Sequence, residues 1–264
     1  TENYRNSYAY SGGLVGGAEY VSFTDITTNV AVTAKKGSAP YPWSYVGGFA
    51  GTVKNADFLR CVNNGTVTTD GDYVSGFAAK SETTTYTSCV NNGAITGRTK
   101  IGGFGGAVKS TKTVDSYNTG TIGLAAYNGG NQGIGGLFGE MGYGSTLTRC
   151  YNTGAVTGDC YVGGLVGSVG SSSDATNGPS YIVDSYNSGA ITGHSDKSYC
   201  GIGGLVGKLD ASSSRVYEQS YVHNCYNTGT VTDLGLKTAG NPGAAIGVMH
   251  ADYSEGSYLE VKDV

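Results

Sequence analysis

Three kinds of chemically active side chain recur in this chain at fixed places. Cys61, Cys89, Cys150 and Cys225 each begin a copy of one short phrase, and Ser116 and Ser185 begin the other two copies. Thiols so spaced would bridge neighbouring repeats, ligate a metal or fill a buried column. The residue before each copy reads Arg60, Ser88, Asp115, Arg149, Asp184 and Asn224. Carboxylates and a guanidinium stacked on one face would line a polysaccharide-cutting cleft, or would pair with each other as a cross-strand charge ladder. The second residue of each copy reads Val62, Val90, Tyr117, Tyr151, Tyr186 and Tyr226. Four phenols in file would stack and shield a sheet, or would present a platform for a sugar or a protein.

The elements that position these residues follow from the repeat itself. The phrase runs CVNNGTVT from Cys61, CVNNGAIT from Cys89, SYNTGTIG from Ser116, CYNTGAVT from Cys150, SYNSGAIT from Ser185 and CYNTGTVT from Cys225. A second phrase lies between the copies: YVGGFAG from Tyr45, YVSGFAA from Tyr73, IGGFGGA from Ile101, IGGLFGE from Ile134, YVGGLVG from Tyr161 and IGGLVGK from Ile202. Two phrases alternating at a period of roughly 27 to 40 residues mark a solenoid, whose coils bury their apolar faces against one another. The pattern predicts an all-β, three-sided parallel β-solenoid of about seven coils, with three short strands per coil. At about 4.8 Å per coil it makes a rod of roughly 35 Å.

Alternation along a strand assigns the faces. Val67, Ile95, Ile122, Val156, Ile191 and Val231 form one inward column, and Val46, Val74, Ile101, Ile134, Val162 and Ile202 a second. Phe49, Phe77, Phe104, Leu137, Leu165 and Leu205 form a third. A weaker strand before the first phrase carries Phe58, Tyr86, Thr113, Leu147, Ile182 and Val222. Asn63, Asn91, Asn118, Asn152, Asn187 and Asn227 recur in all six copies, and their stacked amides are expected to hydrogen-bond up a ladder. The glycine two residues later is expected to turn the corner in a conformation closed to other residues. A worn first coil spans GGLVGG from Gly12 and ITTNVAVT from Ile26, with Val30 in the glycine's place. Residues 1–248 are thus expected to form the solenoid and 249–264 a C-terminal cap or the start of a linker. Longer copies carry loops at 123–133, 168–180 and 208–219, and Tyr127, Tyr143, Tyr181, Tyr217 and Tyr221, in or beside them, would extend a tyrosine platform.

Composition narrows the function classes. Glycine fills 46 of 264 positions, without the every-third-residue spacing of collagen. Charged residues make up 14%, the net charge is −4 and there is no basic run, which argues against nucleic-acid binding. No apolar run approaches a membrane span. The chain begins at Thr1 without a signal peptide, as expected of a mature or excised fragment. No cofactor and no metal site is expected: there is no Cys-x-x-Cys, and His194, His223 and His250 are scattered. Only Cys61–Cys89 and Cys160–Cys200 fall on consecutive coils. Whether either pair is bridged stays open, and Cys150 and Cys225 are expected to be free thiols. A Thr-x-Thr array such as Thr66–Thr68 and Thr230–Thr232 would order water, but Ala94, Ala155, Ala190 and Gly123 interrupt it. GIGGLVG at 201–207 lacks the following helix that a dinucleotide site needs.

Taken together, the GG[LF]xG and CYNTGxVTG phrases resemble the GLUG-motif repeats of bacterial surface proteins, from about Gly12 to Gly247. That resemblance implies an extracellular location, on a bacterial surface or secreted, and a repeat region that also occurs beside IgA-cleaving metallopeptidase domains. It brings no catalytic residues, since the His-Glu-x-x-His of such peptidases is absent. The expectation is a non-catalytic module, an adhesin or spacer segment. Its ligand would be a host glycan or protein, met by Tyr117, Tyr151, Tyr186 and Tyr226 or by the loops at 168–180 and 208–219. The alternatives are a polysaccharide-active β-helix enzyme using Asp115, Arg149 and Asp184, and a purely structural stalk next to a peptidase domain.

Overall fold

The computed structural model describes residues 8–35, 43–126, 133–170, 178–194, 199–211, 219–235, 241–251 and 258–264. Within them the chain forms strands and turns, with no helix, and each strand pairs in parallel with its counterpart one coil away. The chain is a parallel β-solenoid.

Four sheets line it. In one coil, Trp43–Gly47 joins an eight-stranded sheet built from the second phrase, here the glycine sheet. Ala50–Leu59 joins a thirteen-stranded broad sheet. Val62–Asn63 and Val67–Thr69 join two seven-stranded sheets, the asparagine sheet and the threonine sheet. The three predicted strands are therefore present but subdivided. The first phrase breaks into two strands, and in later coils the broad-sheet strand breaks as well, as at Gly105–Lys109 and Lys112–Val114.

Seven coils visit all four sheets, in accord with the repeat count. An eighth contributes Asn241–Gly243 to the glycine sheet and Ile246–Ala251 and Tyr258–Lys262 to the broad sheet. The boundary expected after residue 248 falls inside Ile246–Ala251, whose pairing continues to Ala251. The worn first coil is in register, with Thr28 opposite Asn63 and Val32 opposite Val67.

A corner does fall at Asn-x-Gly, where Val62–Asn63 and Val67–Thr69 pass to different sheets, but its glycine does not take the expected conformation. Gly65 and its counterparts do not adopt a positive φ. They are glycine because consecutive coils approach too closely for a side chain: a Cβ on Gly154 would lie 2.0 Å from the Gly120 carbonyl oxygen. The left-handed corner lies instead at the residue before the phrase, with φ between 51° and 57° at Asp25, Arg60, Ser88, Asp115, Arg149, Asp184, Asn224 and Asp263. A second left-handed file bends the broad sheet at Tyr20, Asn55, Thr83, Ser110 and Gly144.

Two apolar files fill the interior. One joins the Phe49 and Phe58 columns with the cysteine column. Its N-terminal part is aromatic, with Phe49, Phe77 and Phe104 stacked at 4.7 and 4.8 Å and meeting the Phe58–Tyr86 stack edge-on. The other joins the Val46 and Val67 columns. The asparagine file stands between them in chain order, and its amides abut the second glycine of the other phrase. A Cβ on Gly76 would lie 2.1 Å from Asn91 Oδ1. Each phrase thus leaves room for the other, and this is why the two recur together.

Candidate functional site

The buried amides form the expected ladder. Nδ2 of Asn63 donates to Oδ1 of Asn91 at 2.7 Å, Asn91 to Asn118 at 2.6 Å, and Asn118 to Asn152 at 2.7 Å. Asn152 donates to Asn187 and Asn187 to Asn227, both at 2.8 Å. The second N–H of each amide meets the carbonyl of the glycine two residues on, at 2.7–2.9 Å. The ladder starts short of a partner: Oδ1 of Asn63 is buried and unbonded, because the first coil offers Thr28.

The cysteine column is structural. Each side chain there donates to the carbonyl two residues back, Cys89 Sγ to Thr87 at 3.4 Å and Ser116 Oγ to Val114 at 2.8 Å. Cysteine and serine interchange in the column because either supplies a small buried donor. Burial pushes the Cys150 thiol up to about 12 and the Cys225 thiol to about 11. Cys61, Cys89, Cys150 and Cys225 are free, and Cys160–Cys200 is a disulfide with Cα atoms 4.8 Å apart. That pair lies just before two paired strands of the glycine sheet, Val162–Gly163 and Gly201–Gly203. Among the described residues no cluster of His, Cys, Asp or Glu is arranged to hold a metal ion.

The charged column is joined by side-chain pairs at three places. Arg149 grips Asp115 through Nε and Nη2 at 2.7 and 2.9 Å, and Asn224 bonds Asp184 at 3.1 Å. The worn coil adds a pair that sequence reading missed, Arg60 on Asp25 at 2.6 and 2.7 Å. The hydrogen bonds from Arg149 and Arg60 hold the Asp115 and Asp25 carboxyls below their usual range. Exposed pairs of this kind contribute little to stability.

The tyrosine file lies on the outer surface. Rings of Tyr117, Tyr151, Tyr186 and Tyr226 stand 4.5, 4.9 and 5.0 Å apart, within 8° of parallel. Stacked face to face, they present their edges and hydroxyls outward. Tyr181 and Tyr221 form a separate stack at 4.9 Å. Tyr143, expected beside a loop, is instead buried in the interior. Tyr127, Tyr217 and the central parts of all three loops lie outside the described residues.

No known protein family matches the chain, and no curated protein matches it. Among solved structures, that of a candidate immunoglobulin A1 protease from Bacteroides ovatus matches with a TM-score of 0.45 at 17% identity. The match covers 88% of this chain and 65% of that one, so the chain spans less than two thirds of that protein's length.

Two further features had escaped the sequence reading, a tyrosine stack whose middle ring, Tyr45, is buried, and a second ladder. Tyr10, Tyr45 and Tyr73 stack on the glycine sheet at 5.3 and 4.6 Å, flanked by Tyr8 and Trp43, with the Lys100 ammonium 4.9 Å from the Tyr73 ring. The tyrosines that open the second phrase were the available signal. On the asparagine sheet, an outer ladder runs beside the buried one. Asn64 donates to Asn29 at 2.9 Å, Asn92 to Asn64 at 2.8 Å, and Thr119 Oγ1 to Asn92 at 2.7 Å. The second Asn of VNNG was its signature.

Proposed function

We propose that this chain is a stiff, non-catalytic repeat module of a secreted or surface-attached bacterial protein, of the GLUG-repeat kind. It spaces neighbouring domains and offers its outer face for adhesion to a host glycan or protein. The observation that carries this reading is the unbroken register of the buried asparagine file through six consecutive coils. A file fixed at both of its N–H groups resists sliding and bending between coils. The Cys160–Cys200 bridge supports an oxidising compartment outside the cytoplasm. Mutual pairing of Asp115 and Arg149 supports a structural rather than a catalytic role for that column.

Intact-cell antibody labelling, combined with rapid alkylation and mass mapping of the native protein, tests the reading. Signal on unbroken cells or in the medium, with Cys160 and Cys200 joined, is the expected result. Labelling that needs lysis, with all six cysteines reduced, would overturn it.

A further inference from the structure

Exposure alternates without interruption through the first phrase, from buried Cys61 to buried Thr69. Four outward columns result, each seven coils deep across the asparagine and threonine sheets. The first runs from Thr27 to Tyr226 and holds the tyrosine file. The second runs from Asn29 to Thr228 and reads Asn, Asn, Asn, Thr, Thr, Ser, Thr. The third, Ala31 to Thr230, holds only alanine and threonine. The fourth, Thr33 to Thr232, is threonine broken once by Gly123. No column contains a charge. Charges stand on both flanks: on one side the column of Asp115 and Arg149, and on the other Asp70 and Arg98.

We propose that this uncharged band binds an extended neutral polysaccharide whose chain runs along the solenoid axis. The proposal relies on the reading above only for where such a glycan is met. Amide, hydroxyl and phenol groups both donate and accept hydrogen bonds, as sugar hydroxyls do. With no charge in the band, a neutral ligand would leave no ion desolvated and unpartnered. An anionic polymer would need the arginines and lysines that the band lacks.

The repeat fits as well. Successive tyrosine rings stand 4.5, 4.9 and 5.0 Å apart, close to the rise of one β-linked hexose in an extended chain, so each sugar would meet one coil. The outer Asn29–Asn64–Asn92–Thr119 ladder fixes its amides in advance, which reduces the ordering cost of binding. A protein partner would instead seek an aromatic or arginine anchor. Here the rings already cover one another's faces.

Co-sedimentation and affinity electrophoresis of the full chain on neutral glucan, mannan and xylan, and on anionic alginate and pectate, test this. The expected result is retention by at least one neutral polymer, none by the anionic ones, and no release at high salt. Thr121→Glu/Ala190→Glu and Thr121→Lys/Ala190→Lys, two coils apart at exposed positions, should each weaken binding about tenfold or more. Lys80→Glu, on the broad sheet, should leave it unchanged. Thermal melts matching the unsubstituted protein establish that the variants fold. Failure to bind any neutral polymer, preference for an anionic one, or undiminished binding by both charged pairs would overturn the proposal. So would equal binding to a deglycosylated mucin polypeptide, which would mark the band as a protein contact. Glycan retention by a protein found only inside cells would spare this proposal and sink the location alone.

Discussion

Replacing Asn118 by alanine removes the middle rung of the buried ladder. Three hydrogen bonds go at once: the one received from Asn91 at 2.6 Å, and those given to Asn152 and to the Gly120 carbonyl, both at 2.7 Å. An N–H of Asn91, the amide oxygen of Asn152 and the Gly120 carbonyl are left buried without partners. At about 1–3 kcal/mol for each orphaned group, with some relief from a water entering the gap, the loss should be about 3–5 kcal/mol. Asn227→Ala is the internal control. Asn227 is half-buried at the last rung, and water can replace its partners, so about 1 kcal/mol is expected there. Asn118→Asp sharpens the test. A buried carboxylate facing the Asn152 oxygen and the Gly120 carbonyl has a raised pKa. Its cost is therefore greatest above that pKa and shrinks as pH falls through it and the group becomes neutral. Urea unfolding by circular dichroism measures the loss, and amide hydrogen exchange localises it to the coils on either side, which matters because repeat arrays can unfold piecemeal. Equal costs at Asn118 and Asn227, or a cost below about 1 kcal/mol at Asn118, would refute the account of the ladder as the joint between coils.

Thr28→Asn should give the unbonded Asn63 oxygen its donor and stabilise by about 1 kcal/mol; an unchanged melting temperature would show that the first coil cannot take the rung. Gly154→Ala should destabilise by more than about 2 kcal/mol because its Cβ meets a carbonyl oxygen at 2.0 Å, whereas Gly123→Thr, with nothing within 4 Å, should stabilise by about 0.5–1 kcal/mol; chemical melts of the pair decide it. Thr83→Gly should gain about 1 kcal/mol, since a β-branched residue there holds a φ of 48° where a later coil carries Gly144, and a loss in urea titration would contradict that. A colorimetric thiol assay should find none reactive in the native protein, four after unfolding and six after reduction as well; early reaction would mean the cysteine column opens.

Much of the fold was legible because the repeat is strict where coils touch. Asn63, Val67, Val46 and Phe49 each head a column that the structure keeps intact. The corners were less legible. Glycine usually signals a left-handed turn, and here it signals close approach between coils. The actual turns fall at the residue before the phrase, where Asp25, Asp115, Asp184 and Asn224 are types that tolerate a left-handed backbone, but Arg60 and Arg149 in the same column carry no such signal and masked it. The first phrase divides around its glycine, Gly65 lying between Val62–Asn63 and Val67–Thr69, and the broad-sheet strand divides at the Ser110 bend. On the surface, the tyrosine file stood where alternation placed it. The Asp25–Arg60 pair was missed because its first partner lies in the worn coil, outside the clean copies of the phrase. Tyr143 was misplaced because it was assigned to a loop from spacing alone, while its side chain is fully buried.

The buried amides all point one way, and each of the four inner rungs gives to the coil above and receives from the coil below. Every repeat therefore carries both halves of its own joint, the giving group and the receiving group, together with the glycines that admit them. Duplicating or deleting one inner repeat in the gene would leave every remaining rung of the ladder with its partner. A molecule built this way can change its reach by recombination, in single-coil steps, without inventing a new contact.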